Sequence, residues 1–113
     1  MSVRIALDHD GTFTAFPSIW TVFIESVRAA GGEVFCITSR FPNVPINGFP
    51  GDVHYTCGQP KAEWAHERGV KVDIWIDDMP SCIGSPPGMI IEPPQAAQRR
   101  QIVSQIFSQL KFE

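Results

Sequence analysis

The strongest constraint on the fold is that short apolar runs alternate with helical patterns along the chain. Val3 to Leu7 is an apolar run bounded by charge, which is typical of a strand buried on both faces. From Pro17 onward, apolar residues recur at three- and four-residue spacing as far as the Gly31-Gly32 pair, which predicts an amphipathic helix. The run EVFCIT predicts a second strand, and the connecting helix makes it parallel to the first.

The alternation continues through the middle of the chain. Phe41 to Asp52 contains three prolines and two glycines and is predicted to be a surface loop, the proline-rich loop. A short strand at Val53 to Tyr55 follows it. Pro60 and Gly69 then bracket a predicted short helix with Lys61 in its first turn.

The last third of the chain repeats the pattern. Val72 to Ile76 is an apolar run that ends on two acids, and the segment GMIIEPP predicts a final strand closed by prolines. Gln95 to Leu110 carries apolar residues on one helical face. We therefore predict a three-layer, Rossmann-like α/β fold with about five parallel strands. With 113 residues, of which 43% are apolar, the chain suffices for one domain, residues 1–113.

Composition narrows the class of protein. A formal charge of -3 gives no electrostatic reason for non-specific nucleic-acid binding, so nucleic acid is expected only as a substrate. Cys36, Cys57 and Cys82 are widely spaced and form no CxxC pair, which favours reduced thiols over a disulfide framework or a zinc site. No apolar run is long enough to span a bilayer and no signal-peptide pattern is present. We expect a soluble, cytoplasmic protein with no membrane partner.

Clustered carboxylates follow two of the predicted strands. Asp8 and Asp10 come after the first, and Asp77 and Asp78 come after the strand that ends at Ile76. The carboxyl ends of parallel strands share one edge of the sheet, where ligands bind. Asp8 and Asp10 face one pocket if the strand geometry persists to Asp10. Like charges this close raise a pKa or require a cation, and an all-oxygen site favours Mg²⁺ over Zn²⁺.

Four motifs together carry a resemblance to a known family. DHDGT, the hydroxyl residues that end FCITSR, the lysine of QPKAEW and the acids of IWIDDMP occur in this order from Val3 to about Pro80. In order and spacing they resemble the four motifs of the haloacid dehalogenase (HAD)-like phosphatases. The resemblance implies a HAD-like fold and a Mg²⁺-dependent phosphomonoesterase that forms an aspartyl-phosphate.

The resemblance also implies roles for the acids. Asp8 would be the nucleophile, and Asp10 the general acid and base, with a pKa raised by its acidic neighbours. The metal would lie among Asp8, the backbone carbonyl of Asp10 and the two later acids. We favour Asp78 as a direct ligand and Asp77 as its helper, although the sequence does not order them.

The remaining site residues are predicted to handle the phosphoryl group. Thr38 would donate to a phosphoryl oxygen and Lys61 would offset the negative charge on it. Gly11 permits a close backbone approach and Thr12 offers a hydroxyl donor. The phosphate-binding residues are predicted to be Gly11, Thr12, Ser39 and Arg40.

Two features depart from the usual family pattern. His9 stands where most members have an apolar or aromatic residue, and alternation turns it away from the pocket, which favours a packing role. The short segment after Gly11 leaves little room for a flap, and the proline-rich loop is too short for a cap domain. The chain therefore resembles a minimal, capless member. An open site admits large or polymeric substrates, or relies on a partner subunit to exclude water. Arg40, His54 and the proline-rich loop are the nearest candidates to contact a leaving group.

Plainer interpretations of the same residues stay open. Asp8 and Asp10 can be ordinary turn residues, Thr38 can cap local backbone, and Lys61 can be a solvated lysine. A non-catalytic phosphoacceptor module, as in receiver-like domains, would need no general acid at Asp10. A structural protein that keeps the fold without turnover is a third class. The candidate substrates are a nucleotide, a polynucleotide end or a phosphoprotein, and the sequence does not select among them. The oligomeric state and the biological source are also left open by the sequence.

Overall fold

The computed structural model describes residues 2–93, which contain a five-stranded, all-parallel sheet. This confirms the predicted α/β class and the number of strands. The strands are β1 (Arg4–Leu7), β2 (Glu33–Thr38), β3 (Val53–Tyr55), β4 (Ile74–Ile76) and β5 (Met89–Ile91). The predicted helix from Gln95 to Leu110 lies outside the described residues.

Two α-helices connect the strands: α1 (Pro17–Ala29) and α2 (Lys61–Glu67). The helix α1 has proline in its first turn, where the missing N–H costs nothing. It ends at the predicted glycine pair, because Gly31 adopts a φ of 92° and the N–H of Gly32 donates to the carbonyl of Val27 at 2.9 Å. This is a Schellman-type helix end, a conformation that favours glycine.

The strand order creates the site expected from the sequence pattern. Along the sheet the strands are arranged β3-β2-β1-β4-β5. The chain therefore adds β2 and β3 on one side of β1 and then crosses over to add β4 and β5 on the other side. The order therefore reverses between β1 and β4. Such a switch point leaves a crevice outside the carboxyl ends of the two strands, and the order is consistent with a Rossmann-like fold.

Each helix covers a different face of the sheet. Trp20, Phe23 and Ile24 of α1 pack with Leu7 and Cys36 on one face. On the other face, α2 packs through Ala62, Trp64 and Ala65 against a cluster that includes Ala6, Phe35 and Trp75. Alternate residues of β1 and β2 thus enter opposite cores, as the period of a strand requires. Trp64 and Trp75 are buried packing residues, and burying a large apolar side chain contributes about 1.5–3 kcal/mol.

Some element bounds differ from the sequence-based expectation. β1 begins at Arg4 rather than Val3, and β4 begins at Ile74 rather than Val72. Asp73 explains the late start of β4, since its backbone N–H donates to the carbonyl of Arg4 while its carboxylate accepts from the N–H of Arg4. The short segment after Gly11 holds a single 3-10 turn at Phe13–Ala15.

Within residues 2–93, no helix has both the length and the apolar character that crossing a membrane would require. The three cysteines are all free thiols, and Cys36 is buried in β2. Its burial raises the pKa of the Cys36 thiol to about 12, so it is unreactive at neutral pH.

Candidate active site at the carboxyl edge of the sheet

Asp8 and Asp77 meet because β1 and β4 are neighbours in register. Leu7 pairs with Ile76, so the next residue of each strand lies at the carboxyl edge of the sheet. The backbone N–H of Asp8 donates to the carbonyl of Ile76 at 2.9 Å. Both carboxylates are buried, with 8% of Asp8 and 3% of Asp77 exposed. The predicted convergence of acids from separate strands is therefore present.

Lys61 supplies the cation between these two acids. It is the first residue of α2 and only 2% exposed. Its Nζ donates to Oδ1 of Asp8 at 2.8 Å and to Oδ2 of Asp77 at 2.6 Å. The backbone of α2 is tied down by the N–H of Ala62, which donates to the carbonyl of Ile83 at 2.9 Å. The interpretation of Lys61 as a solvated surface lysine is wrong.

The Thr12 hydroxyl links Asp8 to Asp78. It is fully buried, with Oγ1 3.0 Å from Oδ2 of Asp8 and 3.3 Å from Oδ1 of Asp78. It also accepts the backbone N–H of Asp78 at 3.1 Å. A hydroxyl has one proton and donates to only one carboxylate at a time. Thr12 thus orients the acids, and its predicted role as a phosphate donor stays a prediction.

Gly11 is needed for a close approach, but the group that approaches is a carboxylate. Its φ is 84°, and a Cβ at this position would overlap Oδ2 of Asp78. Its N–H donates to Oγ1 of Thr14 at 2.9 Å, so that donor is engaged within the loop. The sequence predicts Gly11 as a phosphate ligand, and the structure adds that it gives Asp78 room.

Three acids form a possible metal site. Ligand oxygens of Asp8, Asp77 and Asp78 all lie within 4.8 Å of one another. Both oxygens of Asp77 have donors, because Oδ2 accepts from Lys61 and Oδ1 accepts the N–H of Met79 at 2.9 Å. Both oxygens of Asp8 have donors as well, from Lys61 and Thr12, so these hydrogen bonds do not rank the acids as ligands. The all-oxygen donor set fits a hard divalent ion such as Mg²⁺, and the division of roles between Asp77 and Asp78 stays a prediction.

The single positive charge of Lys61 does not neutralise both Asp8 and Asp77 when both are ionised. Burial raises the pKa of Asp8 to about 7, with Lys61 opposing the shift and Asp77 adding to it. Burial also raises the pKa of Asp77. For Lys61, burial lowers the pKa, but the charges of Asp8 and Asp77 outweigh burial and the net shift is upward. Lys61 therefore stays charged, and burial makes the Asp8–Asp77 pair hold a proton more strongly than an exposed carboxyl does.

Asp10 does not join the acidic cluster, which corrects two predictions. β1 ends at Leu7, and a turn follows at the next residues, so strand alternation no longer places Asp10 beside Asp8. Its carboxylate instead accepts hydrogen bonds from Nε of Arg40 at 2.8 Å and from Nη2 of Arg40 at 2.6 Å. Hydrogen bonding from Arg40 lowers the pKa of Asp10, so the prediction that acidic neighbours raise it is wrong. The Asp10 side chain is 51% exposed.

Arg40 connects Asp10 to the proline-rich loop. Its Nη1 donates to the carbonyls of Val44 at 3.2 Å and Pro45 at 3.0 Å. The sequence singles out both Arg40 and Asp10, but it carries no signal that they bond each other, since they lie 30 positions apart. The predicted role of Arg40 as a phosphate ligand stays a prediction, because its donors are occupied by Asp10 and the loop.

Thr38 ends β2 and Ser39 follows it, while His9 follows Asp8 in the chain. Thr38 is 2% exposed and its Oγ1 accepts the N–H of Arg40 at 3.2 Å, an interaction that leaves the hydroxyl proton available for donation. Ser39 is half-buried, and its carbonyl accepts the N–H of Gly58 at 2.9 Å. His9 is buried and stacks on Phe13 with ring centroids 5.7 Å apart, which supports the predicted packing role.

Comparison of the chain with protein-family models, with curated proteins and with solved structures gives no match.

Proposed function

We propose that this chain is a Mg²⁺-dependent phosphomonoesterase of the capless HAD-like type, which works through an aspartyl-phosphate. The observation that carries the proposal is the buried network in which Asp8 bonds Lys61 and, through Thr12, reaches Asp78. Three separate segments contribute these groups. A buried carboxylate beside a lysine and a candidate metal site suits attack on a phosphate dianion.

The first step transfers the phosphoryl group to the protein. A carboxylate oxygen of Asp8 forms a bond to phosphorus while the bond from phosphorus to the leaving oxygen breaks. Lys61 offsets the negative charge of the group in transfer. Thr38 has a hydroxyl proton to give to a phosphoryl oxygen. Asp8 has to be ionised for the attack, and a bound cation together with Lys61 would favour that ionised form.

The second step returns the protein to its starting state. Water attacks phosphorus, the bond from phosphorus to the Asp8 oxygen breaks, and Asp10 accepts the water proton. In the first step, the same carboxyl has to donate a proton to the leaving oxygen. The Arg40 pair disfavours the protonated form of Asp10. The proposed mechanism therefore requires that the substrate separate Asp10 from Arg40.

A bound Mg²⁺ would supply positive charge next to the phosphoryl group and screen its repulsion from the acids. Asp8 and Asp78 would hold it, with Asp77 kept in place by Lys61 and the N–H of Met79. The carbonyl of Asp10 as a further ligand is carried over from the family resemblance.

The test is hydrolysis of an aryl phosphate with Mg²⁺ and with EDTA. Wild type is expected to be active only with Mg²⁺. Asp8→Asn is expected to abolish turnover because it removes the nucleophile. Asp10→Asn is expected to slow turnover by about 10²–10⁴-fold, and Asp52→Asn, which changes an exposed carboxyl in the proline-rich loop, serves as the matched control. An inactive wild type on this and on a broad panel of phosphate esters would reject the proposal.

A second candidate is a non-catalytic phosphoacceptor module with the same metal pocket. The Asp10–Arg40 pair favours it, because a carboxylate held ionised by arginine is a poor proton donor. Incubation with acetyl phosphate and Mg²⁺ separates the two candidates. A module would accumulate one stable phosphoryl group on Asp8, whereas the enzyme would release phosphate continuously.

The substrate is proposed to be a phosphorylated small molecule or polymer, and a cytoplasm-like, reducing compartment is proposed from the free thiols.

A further inference from the structure

Exposed apolar side chains surround the carboxyl edge of the sheet. Phe16 is 48% exposed, Phe41 55%, Val44 53% and Met79 55%. Each lies in a segment that leaves the carboxyl end of a strand, with Phe16 after β1, Phe41 and Val44 after β2, and Met79 after β4. We call these four residues the apolar rim.

Backbone contacts tie the rim to the site. The N–H of Val44 donates to the carbonyl of Phe41 at 2.9 Å, and the carbonyl of Val44 accepts from Arg40 at 3.2 Å. Arg40 in turn holds Asp10. On the opposite side, the N–H of Met79 donates to Asp77. The backbone of Val44 is therefore anchored to the arginine that holds Asp10, and the backbone of Met79 is anchored to Asp77 itself.

The charged side chains at this edge disfavour a substrate that carries a second strongly anionic group besides the phosphoryl group. Among residues 2–93, the cations that accompany Asp8, Asp10, Asp77 and Asp78 are Arg40 and Lys61, and both are engaged by these acids. The other lysines and arginines among residues 2–93 lie in the last turn of a helix, just after a helix or at or before the amino end of a strand: Arg4, Arg28, Arg68 and Lys71. Because β1, β4 and the helices run in opposite directions, that is the far edge of the sheet.

We propose that the site takes a phosphomonoester whose leaving group is uncharged and apolar, and that the apolar rim binds this group. The inference rests on the proposed phosphatase function and deepens it. Contact with the rim removes apolar surface from water on both partners and shields the reacting phosphoryl group from water. A nucleic-acid end or a nucleotide with further phosphates would bring more negative charge to this edge, where residues 2–93 provide no free cation to bind it. Such substrates should therefore bind poorly.

The test compares phenyl phosphate, 2-naphthyl phosphate and 4-carboxyphenyl phosphate. The carboxylate makes phenol a better leaving group, so chemistry alone would favour the carboxyphenyl ester. We expect kcat/KM for that ester to be about 10-fold below that for phenyl phosphate, and kcat/KM for the naphthyl ester to be about 10-fold above, the size that extra apolar contacts typically give. A 3′-phosphorylated oligonucleotide is expected to be the poorest substrate.

Two variants locate the effect. Phe41→Ala is expected to reduce the naphthyl preference at least threefold, mainly through KM. Met89→Ala is the matched control, since Met89 is 59% exposed but begins β5 at the amino edge, and it is expected to leave the preference unchanged.

Equal kcat/KM for the charged and uncharged esters, or a preference unchanged in Phe41→Ala, would overturn the inference while hydrolysis itself upholds the phosphatase proposal. If Phe41→Ala instead abolishes self-association in size-exclusion chromatography and leaves the preference intact, a second copy of the chain covers the rim and the inference is also overturned. No hydrolysis of any ester would reject the phosphatase proposal and the inference with it.

Discussion

The raised pKa of Asp8 predicts that the metal-free protein loses stability as pH rises, and that Asp8→Asn removes most of this loss. Asp8 is 8% exposed and shares one lysine with Asp77. Ionising it in the folded state therefore places a second buried negative charge beside one cation. Asparagine keeps an oxygen that accepts from Lys61 but carries no charge at any pH.

The magnitude follows from the pKa of Asp8 in the two states. It is 3.8 for the ordinary carboxyl and about 7 in the folded protein. A carboxyl whose folded pKa is raised contributes stability below its unfolded pKa and loses it as pH rises through its folded pKa. At 1.36 kcal/mol for each pKa unit, the whole loss is about 4 kcal/mol, of which about 3 kcal/mol falls between pH 5 and pH 8. Bound Mg²⁺ should restore stability at pH 8, since a cation then takes the place of the proton.

Urea unfolding in EDTA at pH 5, 6, 7 and 8 measures this loss. For the wild type, the unfolding midpoint is expected to fall by roughly 1–3 M across the range. Asp8→Asn should show less than half of that fall, and the exposed-site control Asp52→Asn should match the wild type. A wild-type midpoint that rises with pH, or a slope that Asp8→Asn leaves unchanged, would refute the reasoning about the buried acids.

Three other substitutions test single contacts. Gly11→Ala is expected to destabilise the fold and weaken Mg²⁺ binding in calorimetric titration, because the new methyl group meets Asp78. Gly48 has a nearly equal φ but nothing within 4 Å of its Cβ position, so Gly48→Ala should cost only about 1–2 kcal/mol of strain. Equal effects of the two substitutions would contradict the clash between residue 11 and Asp78. Lys61→Ala leaves two buried carboxylates without their cation and should lower the free energy of unfolding in urea by about 3–5 kcal/mol at pH 8. The loss should be smaller at pH 5, and an equal loss at both pH values would contradict this reasoning. Arg40→Ala should speed amide hydrogen exchange in the proline-rich loop without a large change in global unfolding, and unchanged exchange would show that the arginine does not hold the loop.

Much of this architecture is visible in the sequence because it depends on local patterns. The alternation of short apolar runs with helical spacing predicts a parallel α/β sheet, and the acids after two of those runs predict where carboxylates collect. Gly31 as a helix end and Gly11 as a point of close approach follow from backbone conformations that other residues rarely adopt. The position of Lys61 at the start of α2 follows from the proline before it.

The partners of each polar group are decided only by the tertiary structure. The end of β1 decides which carboxylate is buried beside a lysine and which is paired with an arginine. The last residue of β1 is set by pairing with β4 rather than by local preference. Asp8 and Asp10 are two residues apart and look equivalent in the chain, yet burial raises the pKa of one and Arg40 lowers the pKa of the other. The sequence thus determines which chemical groups reach the carboxyl edge. The desolvation and charge that divide their roles arise from contacts between distant segments.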